Sequence, residues 1–341
     1  MINFSFSWSL KSIVIIRLIA VLYLPLEAQT AGPLIVEHTN EDHGGGSISN
    51  SILEDRTGSI FIANEAGLLK YDGVSWLQMP TTAHASLVMS ATIDAEDRIW
   101  LVGIGSVGYY ESDDRGRYDY NDLTESIRAL PESSAFGTFW EIRYFQECIF
   151  LVSSNYVLQR KNGEWRTWRF QDKRRILPSW HDDELYIHDR GKGLYRFSGD
   201  QFELIVSDTP EIASGIIGIV DHTEKGRLCA TVSNGLFWLK DRKLTPFKSD
   251  IDKAIITHAS KLKNGDLAIG TANQGLKILD KTGTLVHRVS INQNPIYNCL
   301  ESSRGSIWVV GPGKIFEIKN RFLTLFNEST QGILKTNNQI Y

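Results

Sequence analysis

One short pattern recurs along this chain, and it constrains the fold more than any other feature of the sequence. Its clearest copy runs Ser49-Asn50-Ser51-Ile52-Leu53-Glu54-Asp55, then Arg56-Thr57-Gly58, Ser59-Ile60-Phe61-Ile62-Ala63-Asn64, Gly67-Leu68-Leu69-Lys70-Tyr71-Asp72-Gly73 and Trp76. It reads as strand A, a Gly turn, strand B, a Gly-bearing loop, strand C, an Asp-Gly hairpin and strand D. Asp-Gly suits such a turn because both residues accept positive φ.

The unit returns six times, with strand-B anchors at Ile99, Ile149, Leu185, Leu228, Leu267 and Ile307. Measured from Ile60, the steps are 39, 50, 36, 43, 39 and 40 residues. Four short strands every ~40 to 45 residues is the signature of a β-propeller blade. A helical solenoid would show a period of 3.6, whereas these segments alternate or run apolar. One blade cannot bury both faces, but seven in a ring bury them against one another without long free edges. The expected fold is all-β, a seven-bladed propeller of four-stranded antiparallel blades preceded by a signal peptide. At the ends, Leu34-Ile35-Val36-Glu37-His38 and Leu323-Thr324-Leu325-Phe326-Asn327 both resemble an outermost strand D. The expectation is that the N-terminal one closes the ring.

Ahead of the repeats, Ser12 to Leu26 is an apolar run preceded by Lys11 and followed by small residues at Ala28 and Ala31. That order is the order of a secretory signal. The run is shorter than the ~20 residues needed to span a bilayer, and Arg17 interrupts it. The expected division is 1–28 signal peptide, 29–327 propeller, and 328–341 a tail or the start of a further repeat. The location is then periplasmic or secreted. With a net charge of −4, the chain has no global basic field, so nucleic acid is not an expected partner.

Laid out this way, the repeats resemble the two-component regulator propeller family. Its members form the extracytoplasmic sensor halves of hybrid histidine kinases and of regulators with a triple-tyrosine domain. The resemblance rests on Leu53-Glu54-Asp55 with Gly58-Ser59-Ile60-Phe61-Ile62, Gly67-Leu68, and Tyr71-Asp72-Gly73 with Trp76. It also rests on Gly270-Thr271 with Gly275-Leu276, and on Gly305-Ser306-Ile307-Trp308-Val309. The stretch Gly103–Tyr109, with the insertion around Leu130-Pro131 leading to Phe136-Gly137-Thr138-Phe139-Trp140, resembles the triple-tyrosine subgroup. The resemblance implies a ligand-binding sensor, often for glycan breakdown products, wired to a cytoplasmic output. These 341 residues hold no triple-tyrosine domain, kinase core or DNA-binding helix pair. The expectation is a sensor fragment whose output domain lies elsewhere, or a chain that acts through a membrane-bound signalling partner.

Several motifs invite sharper readings. Gly103-Ile104-Gly105-Ser106-Val107-Gly108 spells a dinucleotide fingerprint, but that motif needs a following helix. Tyr109-Tyr110-Glu111 continues as a strand, so a B–C loop is expected. Cys148, Cys229 and Cys299 fall in blades three, five and seven, too far apart for the ~7 Å reach of a disulfide. Glu111, Asp113 and Asp114 lack calcium-loop spacing, and no zinc, triad or zincin motif is present; the expectation is no metal and no cofactor. Trp165, Arg166, Trp168, Arg169, Lys173, Arg174 and Arg175 form a basic and aromatic patch suited to an acidic polysaccharide. Within Asn121 to Gly137, Leu123, Ile127 and Leu130 are spaced for a short helix that could cap the channel mouth.

The functional expectation is a non-catalytic, exported sensor that takes an oligosaccharide, another small ligand or a partner protein on its loop face. Asn64, Ser153, Asn155, Arg190, Lys192, Asn234, Asn273 and Gln274, all in B–C loops, are expected to line the mouth. Trp140 and Trp180, placed near D–A loops, are expected to stack on sugar rings. The alternatives are a cell-surface interaction module and a propeller polysaccharide lyase or hydrolase, because fold alone does not settle function.

Overall fold

The computed structural model describes residues 33–319, apart from 80, 82–86, 172–174, 182–183, 224–225, 252–253, 292–293 and 314. The expected signal segment, the Leu323–Asn327 strand, the 328–341 tail, Lys173 and Arg174 all lie outside the described residues.

The first strand, β1 (Leu34–His38), leads through a single-turn helix α1 (Asn40–His43) into blade 1. Blade 1 is β2 (Ser49–Glu54), β3 (Ile60–Asn64), β4 (Gly67–Tyr71) and β5 (Trp76–Met79). Blade 2 is β6 (Val88–Ile93), β7 (Ile99–Gly103), β8 (Ser106–Ser112) and β9 (Tyr118–Asp122), followed by the short helices α2 (Thr124–Arg128) and α3 (Ser133–Phe136). Blade 3 is β10 (Glu141–Phe145), β11 (Cys148–Val152), β12 (Tyr156–Lys161) and β13 (Glu164–Arg169). Blade 4 is β14 (Leu177–His181), β15 (Glu184–Asp189), β16 (Gly193–Ser198) and β17 (Gln201–Ser207). Blade 5 is β18 (Ile216–Thr223), β19 (Gly226–Thr231), β20 (Leu236–Lys240) and β21 (Lys243–Phe247). Blade 6 is β22 (Ile256–Lys261), β23 (Leu267–Thr271), β24 (Leu276–Leu279) and β25 (Leu285–Val289). Blade 7 has β26 (Asn298–Glu301), β27 (Ile307–Val310) and β28 (Ile315–Lys319). Its fourth strand is β1, in the order β1-β28-β27-β26, so the N-terminal strand does close the last blade.

Local chemistry explains the elements. Strands B are sandwiched between neighbouring blades, so β3, β7, β11 and β23 are buried along their whole length. The Asp-initiated turns work as side-chain clamps. Asp55 Oδ1 accepts from the Thr57 and Ser59 amides, Asp94 Oδ1 from Glu96 and Arg98, and Asp280 Oδ1 from Thr282 and Thr284. A carboxylate gathering the amides two and four residues on is the Asx-type turn that short polar side chains favour.

The blades are stitched through their inner strands. Ser51 Oγ accepts from the Ala91 amide, Thr92 Oγ1 from Tyr144 and Ser179 Oγ from Ile219, each across one seam. At the A–B hairpin end, Glu54 receives the Ser303 amide and hydroxyl at 2.6 Å each, and Glu301 receives the Lys263 amide at 2.6 Å. Inner strands run side by side at six seams, pairing β2 with β6, β6 with β10, β14 with β18, β18 with β22, β22 with β26 and β26 with β2. Between β10 and β14 the strands stand further apart. Aromatic rings fill that seam, with Phe145, Phe150 and Phe197 buried and Trp168, Trp180 and Phe202 packed against them.

The expected cap is corrected. A short helix does form in the insertion, but Ile127 and Phe136 are buried against Trp100, Val102, Phe139, Ile142 and Tyr156. Ile127 on the helix, with Leu123 and Leu130 flanking it, seals the seam between blades 2 and 3, because these apolar side chains gain more from a dry core than from a wet channel mouth. The Gly103–Gly108 motif is the β7–β8 hairpin, with Gly103 opposite Ser106. The three cysteines sit on β11, β19 and β26 of separate blades and are unpaired.

Candidate functional site

The B–C and D–A connections share one end of the ring, and two expected residues meet there between blades 3 and 4. Trp140 precedes inner strand β10, and its amide donates to the Val152 carbonyl. The Arg175 guanidinium, from the connection between the blades, lies 4.2 Å from the Trp140 ring centroid. Arg190, from the β15–β16 loop, donates to the Arg175 carbonyl at 2.7 Å. The Trp140 indole N–H is buried and has no hydrogen-bond partner among the described residues.

Glu141, the first residue of β10, completes the cluster. Protein crowds it on most sides while it keeps some accessible surface, and loss of solvation pushes its carboxyl up to about 7 against the opposing fields of Arg143 and Arg175. Desolvation also draws the Arg175 guanidinium below its ordinary value, with Arg190 adding to the effect and Glu141 opposing it. Arg143 and Arg175 therefore act on the Glu141 carboxyl, Arg190 joins them through Arg175, and Lys192 is exposed on the same loop as Arg190. The result is a cation-rich mouth with an aromatic wall, chemistry suited to a polar or anionic ligand.

The raised carboxyl has a testable sign. With its carboxyl pushed from the ordinary 4.5 up to about 7, Glu141 should keep its proton in the folded chain across a pH range in which the unfolded chain releases it. Its contribution to stability is therefore present at low pH and is lost as pH rises through that window. Urea midpoints at pH 5 and pH 7.5 should show Glu141→Gln losing part of the wild-type decline. An identical decline in both proteins would refute the assignment.

The other expected residues divide. Asn64 is fully buried and corrects the expectation. Its Nδ2 donates to the Gly46 and Ile48 carbonyls and to Ser49 Oγ, and its Oδ1 accepts from the Gly46 and Ala66 amides. All its polar capacity goes to joining two loops. Ser153 is likewise fully buried, its hydroxyl accepting the Tyr156 amide. Trp180 is also corrected. It stands opposite Leu185 near the A–B hairpin, the end of β14 away from the mouth, with its ring 5.7 and 5.8 Å from Phe145 and Phe150.

Asn234 is exposed, but its amide is committed to the Pro210 and Glu211 carbonyls. Asn155 is half-buried and receives the Phe170 amide on its carbonyl. Lys192, Asn273 and Gln274 are exposed on the rim. The basic and aromatic patch splits: Arg166 covers Trp168 and faces Asp200 at 3.4 Å on outer strands, while Arg175 turns to the mouth.

Glu141 and Arg143 were not expected at the site. Their signal was the polar-apolar-polar run Glu141-Ile142-Arg143, which opens an inner strand where most other blades have small or apolar residues. Among the described residues, no group of three His, Cys, Asp or Glu side chains is placed to hold a metal. No helix among them is long and apolar enough to cross a membrane.

No protein-family model matches the sequence, and no curated protein matches it. Solved structures share the fold. Virginiamycin B lyase from Staphylococcus aureus is 16% identical over 84% of this chain and 98% of its own, with a TM-score of 0.65. YCF48 from Cyanidioschyzon merolae is 12% identical over 85% and 99%, with a TM-score of 0.63. The extracellular domain of the hybrid two-component system BT4673 from B. thetaiotaomicron is 18% identical over 83% of this chain, with a TM-score of 0.63. This chain spans only 39% of that domain's length. The fold neighbours thus include the extracellular propellers of hybrid two-component systems, the group that the repeats resemble.

Proposed function

We propose that this chain is a non-catalytic, extracytoplasmic sensor propeller that binds its ligand at the mouth between blades 3 and 4. The observation that carries the reading is the convergence of Trp140, Glu141, Arg175 and Arg190 between blades 3 and 4. The export-like N-terminus and the likeness to two-component extracellular domains support the location and the sensing role. An aromatic ring beside guanidinium groups suits a sugar carrying polar or acidic substituents. On this reading, the signal passes to an output domain or to a membrane-bound partner.

The test is a thermal-shift screen of the purified propeller against neutral and acidic oligosaccharides. A ligand at 100 times its Kd stabilises a fold by about 2.7 kcal/mol. The expected result is a saturable shift that Arg175→Ala abolishes. Turnover of any polysaccharide in the same panel, or a shift that survives Arg175→Ala, would overturn the reading.

A further inference from the structure

The opposite end of the ring carries a second cation cluster, far from the mouth in topology. Strands B of blades 4 and 5 begin there, and so does the β20–β21 hairpin. Between the two blades lies a cleft of about 200 Å³. Tyr186, Arg196, Arg227, Asp241 and Arg242 supply its polar lining, and Ile205 and Leu239 its apolar walls.

Two of the charges are already committed. Arg227 pairs with Glu184 and also donates to the Tyr186 hydroxyl at 2.6 Å. Tyr186 in turn donates to Glu184 at 2.6 Å. That relay satisfies Glu184 and leaves it only a 3.5 Å contact with Arg196. Arg196 Nε is buried and lacks a hydrogen-bond partner. Among the described residues, Arg242 has no hydrogen bond or ion pair.

The hairpin that presents Arg242 has no glycine at its centre, a feature it shares with Gln146-Glu147 of the β10–β11 hairpin. Asp241 and Arg242 are its two central residues, at φ 49 and 63. That left-handed pair is normally Asn-Gly or Asp-Gly, and the equivalent hairpin of blade 3 uses Asn162-Gly163. An Arg held in that conformation is a local strain that the turn itself does not need. The cleft thus brings together one buried, unmatched guanidinium donor and one uncommitted guanidinium, with Asp241 as the opposing charge.

The geometry points to an oxyanion site in this cleft, taking a sulfate, phosphate or carboxylate group of a small ligand between Arg196 and Arg242. Forked guanidinium donors match the spacing of such oxygens. The site lies on the end of the ring away from the mouth and does not depend on what the mouth binds.

The test titrates sodium sulfate and sodium phosphate into the whole chain by calorimetry, with chloride matching the ionic strength. Saturable binding is expected, weakened about tenfold by Arg242→Gln and by Arg196→Gln, a loss typical of one charge-assisted hydrogen bond. Asp241→Asn should tighten it. Arg242 is exposed on a hairpin, so its variant should fold even where Arg196→Gln does not. Binding unchanged in Arg242→Gln, or heat that never saturates, would overturn the proposal and assign any stabilisation to the general exclusion effect of these anions.

Discussion

A chain lacking Leu34–His38 should melt about 10 °C or more below the full propeller, or lose cooperative melting altogether. Blade 7 takes its outer strand from ahead of blade 1, so the deletion removes the strand that, among the described residues, pairs with the outer edge of β28. The outer surface of β1 is open, with Leu34 52% and Ile35 38% exposed, so its value lies in pairing and in His38. His38 is buried, stacked on Trp308 at 5.1 Å and flanked by Tyr71 and Trp76 at 5.3 Å each. Losing several ladder hydrogen bonds and one packed aromatic ring should cost on the order of 5 kcal/mol, which for a domain of this size is roughly that drop in Tm. His38→Ala alone should produce a part of it. An unchanged melt for the deletion would show that the ring closes by other means.

The second large effect is expected at Asp94. Its carboxylate is 4% exposed and accepts the Trp100 indole N–H and Arg98 Nε at 2.7 Å each, plus the Glu96 and Arg98 amides. Arg98 and Arg160 in turn lie over the Trp100 ring. Asp94→Ala leaves a buried indole donor, two amides and Arg98 Nε without their acceptor, while Arg98 Nη2 keeps Glu96. Breaking such a buried network should cost about 3 to 5 kcal/mol in urea denaturation. The equivalent turn residue Asp113 holds Arg117 at the surface, and its replacement should barely move the midpoint. A double-mutant cycle of Asp94→Ala with Trp100→Phe should show a coupling of at least about 1 kcal/mol. A cost under 1 kcal/mol for Asp94→Ala would mean that water replaces the carboxylate.

The strand order was legible because its causes are local. Buried strands B read as apolar runs, and Asp and Gly mark the turns that clamp them. The third copy, after the longest step, carries Ile149-Phe150-Leu151 on β11, and the N-terminal strand was recognisable from its likeness to other strands D. The site was less legible, because it depends on where each inner strand starts. Trp140 and Trp180 both precede a strand B by a few residues, yet one lies just before β10 and the other near the far end of β14. A shift of four residues along an inner strand carries a ring from the mouth to the aromatic seam. Asn64 and Ser153 misled for another reason. Polar residues at the end of strand B are as suited to gathering loop amides as to meeting a ligand, and the partners that decide it come from segments 16 to 18 residues away for Asn64.

The closing strand also sets a timetable for synthesis. Among the described strands β1 is made first, and its sheet partner there, β28, ends at Lys319. At roughly 5 to 20 residues per second, the leading strand waits on the order of 15 to 60 seconds before its sheet exists. Six blades can assemble as they emerge, whereas the seventh is forbidden until β28 is made. A nascent chain stalled before β28 is therefore an open arc with two unpaired blade faces, and any quality control acting on it would see a half-built object until the last strand arrives.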